Sequence, residues 1–321
     1  MNNSNVKLSL IIPCYNEEKN IAPLYDLIKK DLGQFHGTYE MIFVNDGSRD
    51  DTRKELKKIH AKKDYTKIID FSRNFGKEAA IYAGLLEAKG EFISIMDADL
   101  QQRPKYVLDM VNFLEENEEY DCVAAFQKRR KESMILRFFK KLFYRLINKM
   151  TKITFVQDAS DFRTFRRNMA DAIIEMKEYF RFSKGIFSWI GFETYYMPYE
   201  VEKRANGKTK WSFSKLFHYG VGGIISFSTM PLRFSTVMGM GCSFCSLIYL
   251  VAVVLKRLLH GVEIPGYATI VGLILLLGGL ELFAIGIMGE YLARTYVETK
   301  KRPIFIAREK LSYKEDEGKM S

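Results

Sequence analysis

The chain has 321 residues, and 49 Lys and Arg against 39 Asp and Glu give it a formal net charge of +10. Hydrophobic residues make up 47% and charged residues 27%, and the mean hydropathy is −0.14, which excludes a disordered polar chain and a protein built mainly of membrane helices. That average hides a division, because charges are dense up to about Lys215 and sparse from Ser235 to Met288. A soluble part therefore precedes a membrane part. The four cysteines are too few and too scattered for a disulfide framework, and Cys242-x-x-Cys245 lies in an apolar run with no basic neighbour to lower a thiol pKa. A reducing, cytosolic setting follows for the soluble part.

Met1–Asn5 is polar, and the apolar run Leu8–Pro13 is too short for a secretory signal, so it reads as a buried strand. Four strands are expected, this one at Lys7–Pro13 and others at Tyr39–Asn45, Lys67–Phe71 and Phe92–Met96. Amphipathic helices are expected between them, near Lys19–Leu32, Asp51–Lys62 and Lys77–Ala88. Short apolar strands joined by helices predict an α/β, doubly wound, mostly parallel sheet, because parallel strands need crossover connections. Ligands of such sheets bind beyond the carboxyl ends of the strands.

Those ends are polar in all four cases. They read Pro13-Cys14-Tyr15-Asn16-Glu17-Glu18, Asn45-Asp46-Gly47-Ser48-Arg49-Asp50, Ser72-Arg73-Asn74-Phe75-Gly76-Lys77 and Asp97-Ala98-Asp99-Leu100-Gln101. Neither G-x-G-x-x-G after the first strand nor G-x-x-x-x-G-K-[ST] occurs, so the usual dinucleotide and P-loop phosphate cradles are missing. Asp97 and Asp99, one residue apart at a strand end, offer hard oxygen ligands for a divalent ion whose shell nucleotide phosphates complete. The bland alternative is Asp99 as the N-cap of the helix that follows Pro104.

Together these motifs resemble the inverting family 2 glycosyltransferases with a type A, nucleotide-sugar-binding Rossmann-like fold. More narrowly, the chain is similar to the polyprenyl-phosphate glycosyltransferases. The matching strings are P-x-Y-N-E at Pro13–Glu17, N-D-G-S-x-D at Asn45–Asp50 and D-A-D-L-Q-x-x-P at Asp97–Pro104. Asp161-Phe162-Arg163, R-x-x-G-x-[ST]-K at Arg204–Lys210 and Gly289-Glu290-Tyr291 follow in order. The resemblance implies that Pro13, Tyr15, Glu17 and Asp46 hold uracil and ribose of a UDP-sugar donor, with Arg73 and Gln101 near the diphosphate. It implies Mg²⁺ or Mn²⁺ on Asp97 and Asp99. Asp161 matches an acceptor-side Asp often described as a base. A phosphomonoester, with its second pKa of about 6, is already largely an anion at neutral pH, so orienting the sugar or the acceptor pocket is the other reading. Its plain structural alternative is an ion pair with Arg163 or Arg166.

An acceptor in lipid is expected from the residues alone. Phe234–Leu255 is 22 residues without a charge, about 33 Å as a helix, against a bilayer core of about 30 Å. A second span is expected near Gly266–Met288, containing Glu281, where relatives often carry Gln. The loop of this hairpin carries Lys256 and Arg257. Lys208, Lys210, Lys215 and Arg233 lie before it, and Arg294, Lys300, Lys301 and Arg302 after it, which puts the catalytic part and the tail in the cytoplasm.

Ser133–Met150 alternates Ile135, Phe138, Phe139, Leu142, Phe143 and Leu146 with Arg137, Lys140, Lys141 and Arg145, the pattern of a basic interfacial helix. Residues 212–233 read as a second such helix leading into the first span. The expected organisation is a catalytic domain over 1–211, a juxtamembrane helix over 212–233, a hairpin over 234–290 (about 234–257 and 266–288) and a tail over 291–321. Arg204, Lys210 and, more weakly, Arg137 are the candidates for the acceptor phosphate. The predicted reaction moves a hexose from UDP-glucose or UDP-N-acetylglucosamine to polyprenyl (undecaprenyl) phosphate with inversion, at the cytoplasmic face of the cell membrane. The resemblance also implies a homo-oligomer, a tetramer.

Three alternatives compete. A processive polysaccharide synthase of the same superfamily would carry a Q-x-x-R-W string, which is absent. A nucleic-acid binder is suggested by the pI near 9.2, but the basic residues cluster beside apolar segments. A non-catalytic membrane scaffold would not need Asp97, Asp99 and Arg204.

Overall fold

A computed structural model describes residues 6–62, 65–127, 145, 148, 159–200, 202, 222–260 and 266–313. Arg137, Arg204 and Lys210, the expected interfacial helix apart from Arg145 and Asn148, and all of 212–221 lie outside the described residues. The chain divides into two compact units, one built around a sheet and one around two long helices.

The sheet unit begins β1 (Leu8–Cys14), α1 (Glu18–Asp31), β2 (Tyr39–Asn45), α2 (Thr52–His60), β3 (Thr66–Phe71), α3 (Lys77–Glu87), β4 (Phe92–Ile95) and α4 (Lys105–Glu116). It continues with β5 (Cys122–Gln127), β6 (Ala159–Arg166), α5 (Arg167–Glu175), α6 (Ser183–Trp189) and β7 (Thr194–Tyr199). The second unit holds α7 (Met230–His260) and α8 (Tyr267–Thr299), after which β8 (Ala307–Leu311) returns to the first.

The eight strands lie in the order β7-β5-β6-β4-β1-β2-β3-β8. β4, β1, β2 and β3 run parallel, as the alternating sequence pattern requires, because each is followed or preceded by a crossover helix. Their two-residue alternation distributes the core. Leu8, Leu10 and Ile12 of β1 join Ile21, Leu24 and Ile28 of α1 and Val107, Met110 and Leu114 of α4 in one buried cluster. Ile11 points to the other face, where α3 packs so closely that a Cβ on Gly84 would overlap the Ile11 side chain.

Strand order reverses at β1, which has β2 on one side and β4 on the other. Chain connections leave in opposite directions there and open a crevice at the carboxyl ends. β6 then runs antiparallel to β4, with Ile95 opposite Arg163 and Phe92 opposite Arg166. Continued by two residues, that register puts the beginning of β6, at Asp161, beside the residues just past the end of β4.

Residues after the second apolar segment take up defined structure on the sheet. α8 continues to Thr299, and β8 pairs antiparallel with β3, with Ile69 opposite Lys310. Phe305 stacks on the buried Phe71 at 4.9 Å, and Glu309 bridges Arg53 and Lys57. Residues 303–313 thus complete the sheet edge, because β3 would otherwise present an unpaired row of N–H and C=O groups.

In the helical unit, Met230–Leu255 and Thr269–Thr299 are long and apolar enough to cross a membrane, with mean hydropathies of 2.1 and 2.5 and neither window buried. Each expected span therefore sits inside a longer helix. Tyr291 donates its hydroxyl to the Ser228 carbonyl at 2.6 Å, and Arg294 donates to Ser226 Oγ at 2.6 Å and to the Gly222 carbonyl.

Candidate active site

The loops after β1 and β2 are laced together. Asn16, in the left-handed region at φ 54°, donates its backbone N–H to Ser48 Oγ at 3.0 Å and accepts that of Arg49 on Oδ1 at 2.9 Å. Glu17 N–H donates to Thr52 Oγ1 at 2.8 Å, and the Glu17 carboxylate accepts from Asn20 Nδ2 at 2.6 Å. Asn45 donates to Asp70 at 2.6 Å and accepts from Ser48 at 2.5 Å. Pro13 and Tyr15 are half-buried beside this lacing.

Asp46 ties the second loop to the third. Its carboxylate is buried and accepts backbone N–H groups of Phe75 at 2.6 Å and Gly76 at 3.1 and 3.0 Å, and Asn74 Nδ2 at 2.9 Å. Burial pushes its pKa up to about 6 despite those donors and the nearby Arg73. Gly47 has φ +62°, and a Cβ there would overlap the Arg73 carbonyl carbon, so no other residue fits without moving that loop. Arg73 itself is exposed and lies over the Phe75 ring at 4.0 Å.

The fourth loop carries the carboxylate pair. Asp97 is fixed by the buried Gln102, whose Oε1 accepts the Asp97 N–H at 2.8 Å and whose Nε2 donates to Asp97 Oδ2 at 3.2 Å. Asp99 Oδ1 accepts the N–H of Gln101 at 3.2 Å. Leu100 between them is forced to φ 62°. Asp99 is not the N-cap of α4, which begins after Pro104 without a side-chain cap. The Gln101 carbonyl in turn accepts the backbone N–H of Glu202 at 3.1 Å.

Lys77, the first residue of α3, joins two predicted site residues. Its ammonium lies 2.6 Å from Asp97 Oδ1 and 3.1 Å from Asp161 Oδ2. Its partial burial would lower the lysine pKa, but the carboxylates outweigh that and hold the group well above its ordinary value. Asp161 answers in kind: burial would raise it, while Lys77, Lys184 and Arg163 bring it down to about 2. The expected alternative partners are engaged elsewhere. Arg163 is buried against Phe187 and donates to the Ser160 carbonyl, and Arg166 donates to the carbonyls of Tyr120 and Leu114. Next to Lys77, Glu78 accepts from Ser183, and burial with the nearby Asp161 pushes it up to about 7.

Among the described residues no three His, Cys, Asp or Glu side chains form a metal cage. Two hard carboxylates at one strand end fit an ion of the Mg²⁺ type, which keeps water and binds substrate phosphates through one or two protein ligands. The ammonium of Lys77 already marks Asp97 Oδ1 as a place for a cation. Lys77, Glu78, Gln102 and Ser183 have no role in the sequence reading. For Lys77 the signal was its place at the end of the polar cluster Ser72–Lys77; Gln102 follows the matched Gln101 directly, and Ser183 carried no signal.

This crevice at a strand-order reversal, with a carboxylate pair just past β4, is the architecture of a type A glycosyltransferase fold. Residues 9–174 match the family described as glycosyl transferase family 2, and the chain belongs to that family and is a glycosyltransferase. Its relatives there extend over nearly the whole chain. A putative glycosyltransferase, CsbB, of Bacillus subtilis (strain 168) is 43% identical over 303 residues, covering 94% of this chain and 91% of its own. The prophage bactoprenol glucosyl transferase homolog of Escherichia coli (strain K12) is 34% identical over 301 residues, covering 94% and 98%. A bactoprenol glucosyl transferase of Shigella phage SfV is 32% identical over 301 residues, with the same coverage. The chain thus falls with the polyprenyl-phosphate branch of the family.

Proposed function

We propose that this protein transfers glucose from UDP-glucose to polyprenyl phosphate, with inversion, at the cytoplasmic face of a membrane that α7 and α8 span as a hairpin. The observation that carries the reading is the meeting of Asp97 and Asp161 on Lys77 at the carboxyl end of β4, in a chain that also carries two membrane-length apolar helices. Glucose and a lipid acceptor are favoured by the names of the bactoprenol glucosyl transferases that match end to end.

The donor occupies the crevice over β1 and β2. Pro13, Tyr15, Glu17 and Asp46 form its nucleoside side, with Asp46 acting through the loop 74–76 that it holds. Arg73 and Gln101 face the diphosphate. Asp97 and Asp99 hold the divalent ion, Mg²⁺ or Mn²⁺, which when bound offsets the charge that builds on the departing UDP. Gln102 keeps Asp97 oriented for this task.

An oxygen of the acceptor phosphate forms the new bond to the anomeric carbon as the bond to the UDP β-phosphate breaks, and the electron pair leaves with UDP. Asp161, held near 2 and paired with Lys77, is too weak a proton acceptor to serve as a base. Its Oδ1 is buried with no hydrogen-bond partner among the described residues, which suits acceptance from a sugar hydroxyl. Arg204 and Lys210, with Arg137 in support, neutralise the acceptor phosphate. Basic residues toward the outer ends of the two apolar segments, Arg233 in the first turn of α7 and Arg294, Lys300, Lys301 and Arg302 at and beyond the end of α8, orient the hairpin with the chain before and after it on the cytoplasmic side.

The test is a panel of radiolabelled UDP-sugars incubated with undecaprenyl phosphate and membranes carrying the protein. Label from UDP-glucose should enter the lipid phase. Entry from UDP-N-acetylglucosamine alone would change the sugar, and entry from none of them would overturn the reading.

A further inference from the structure

We propose that Lys77 is a positioning residue that acts as a resident cation. Its ammonium holds Asp97 and Asp161 together before the donor complex binds, and it must leave Asp97 Oδ1 for the divalent ion to take that oxygen. The inference rests on the assignment of Asp97 and Asp99 as metal ligands. No role for Lys77 follows from that assignment itself.

Geometry carries the argument. Asp97 has two oxygens, and Gln102 Nε2 already donates to Oδ2 at 3.2 Å. Oδ1 is the oxygen turned toward Lys77, at 2.6 Å. A divalent ion bound to Oδ1 would stand beside a second positive charge at contact distance, which is unfavourable even for these partly exposed side chains. Lysine is suited to yield. Its charge sits on a flexible four-carbon stem, and with a side chain 39% exposed Lys77 has room to turn. Asp161, at 3.1 Å on the other side, keeps a hold on the ammonium when Asp97 releases it. The same residue thus keeps mutually repelling carboxylates in place before loading and sets a threshold for metal without nucleotide. A bare ion must displace Lys77 unaided, whereas an ion arriving with a diphosphate brings its own anionic ligands.

The experiment measures Mn²⁺ binding to the detergent-solubilised full chain, without nucleotide, by the loss of the free-ion paramagnetic resonance signal. Lys77→Met should bind Mn²⁺ about ten-fold more tightly than wild type, because a competing charge next to the ligand is gone. Lys77→Arg, which keeps the charge, should stay within about three-fold of wild type. Lys184→Met is the control for long-range charge, since Lys184 also bears on Asp161, and should tighten binding by less than about three-fold. A structural role alone would loosen the site in Lys77→Met and weaken the ion.

Unchanged or weaker Mn²⁺ binding in Lys77→Met overturns the inference, as does equal tightening in Lys184→Met. If Lys77→Met does not melt cooperatively, Asp161→Asn replaces it. Lys77 then bears on Asp97 alone, so Mn²⁺ should bind several-fold more weakly, and unaltered affinity overturns the proposal. Failure of wild type and Lys77→Met alike to bind Mn²⁺, with or without UDP, removes the metal assignment and the inference with it. Binding by wild type with no gain in the variant removes the inference only.

Discussion

Asp46, just past β2, accepts the backbone N–H of Gly76 on both carboxylate oxygens, at 3.1 and 3.0 Å. One side chain therefore sets the position of the loop that carries Arg73 and of the residue from which α3, and with it Lys77, begins. The crevice is held by hydrogen bonds between loops as much as by the sheet beneath them.

The Asp46 carboxyl, at about 6 against an ordinary 3.8, has a definite pH consequence. Between those values the folded protein binds more protons at this site than the unfolded chain. Its contribution to stability is complete below 3.8 and is lost as the pH rises through about 6. Asp46→Asn removes the titration and also turns an amide NH₂ toward donors, so it should be less stable than wild type. The gap in melting temperature between the two should narrow as the pH rises from 4 to 7, by this contribution, and a constant gap would refute the raised value.

Gly47→Ala should be severely destabilising for its size. A positive φ and an overlap with the Arg73 carbonyl carbon coincide there, and such strain costs on the order of 1–3 kcal/mol or forces the loop to move. A lowered melting temperature together with weaker UDP binding by calorimetry is expected. Full UDP affinity would mean that the loop carrying Arg73 does not face the diphosphate.

Asp97→Asn and Asp99→Asn should each lower transfer of label into lipid by about a hundred-fold or more, the scale of losing one electrostatic element of a transition state. Melting temperatures should stay close to wild type, since neither side chain is in the core. EDTA should abolish wild-type activity, with Mg²⁺ or Mn²⁺ restoring it. Undiminished transfer by the metal-stripped enzyme would rule out the ion.

Asp161→Asn should reduce kcat and, at saturating divalent ion, raise the KM for the UDP-sugar by no more than a few-fold, the scale of one weakened hydrogen bond. The acid limb of the rate profile should persist in the variant, because the acceptor phosphate with its second pKa of about 6, and not Asp161, titrates there. Loss of that limb in Asp161→Asn would restore Asp161 as the base.

The first four strands, their crossover helices and the polar loop after each were legible in the sequence because they depend on local periodicity. In Tyr39–Asn45, for example, Met41–Val44 is a continuous apolar run, since a parallel strand is covered on both faces. The two apolar helices were legible for a similar reason: a run without charges needs no partner to be recognised. β5 and β7 were not anticipated, and β6 (Ala159–Arg166) escaped notice because it carries charged Asp161, Arg163 and Arg166 among its apolar residues. Only sheet pairing decides that such a segment is a strand. The same holds for residues 307–311, whose Ala-Arg-Glu-Lys-Leu sequence suggests an exposed tail until β3 supplies its hydrogen bonds. Residue types at a strand end named Asp97 and Asp99 as candidates, and the family resemblance named Asp161. That Asp161 stands across from Asp97, and that Lys77 lies between them, was decided by the antiparallel register of β6 on β4 and by the point at which α3 starts. Those are distances between segments up to 84 positions apart, fixed by packing that no local pattern encodes.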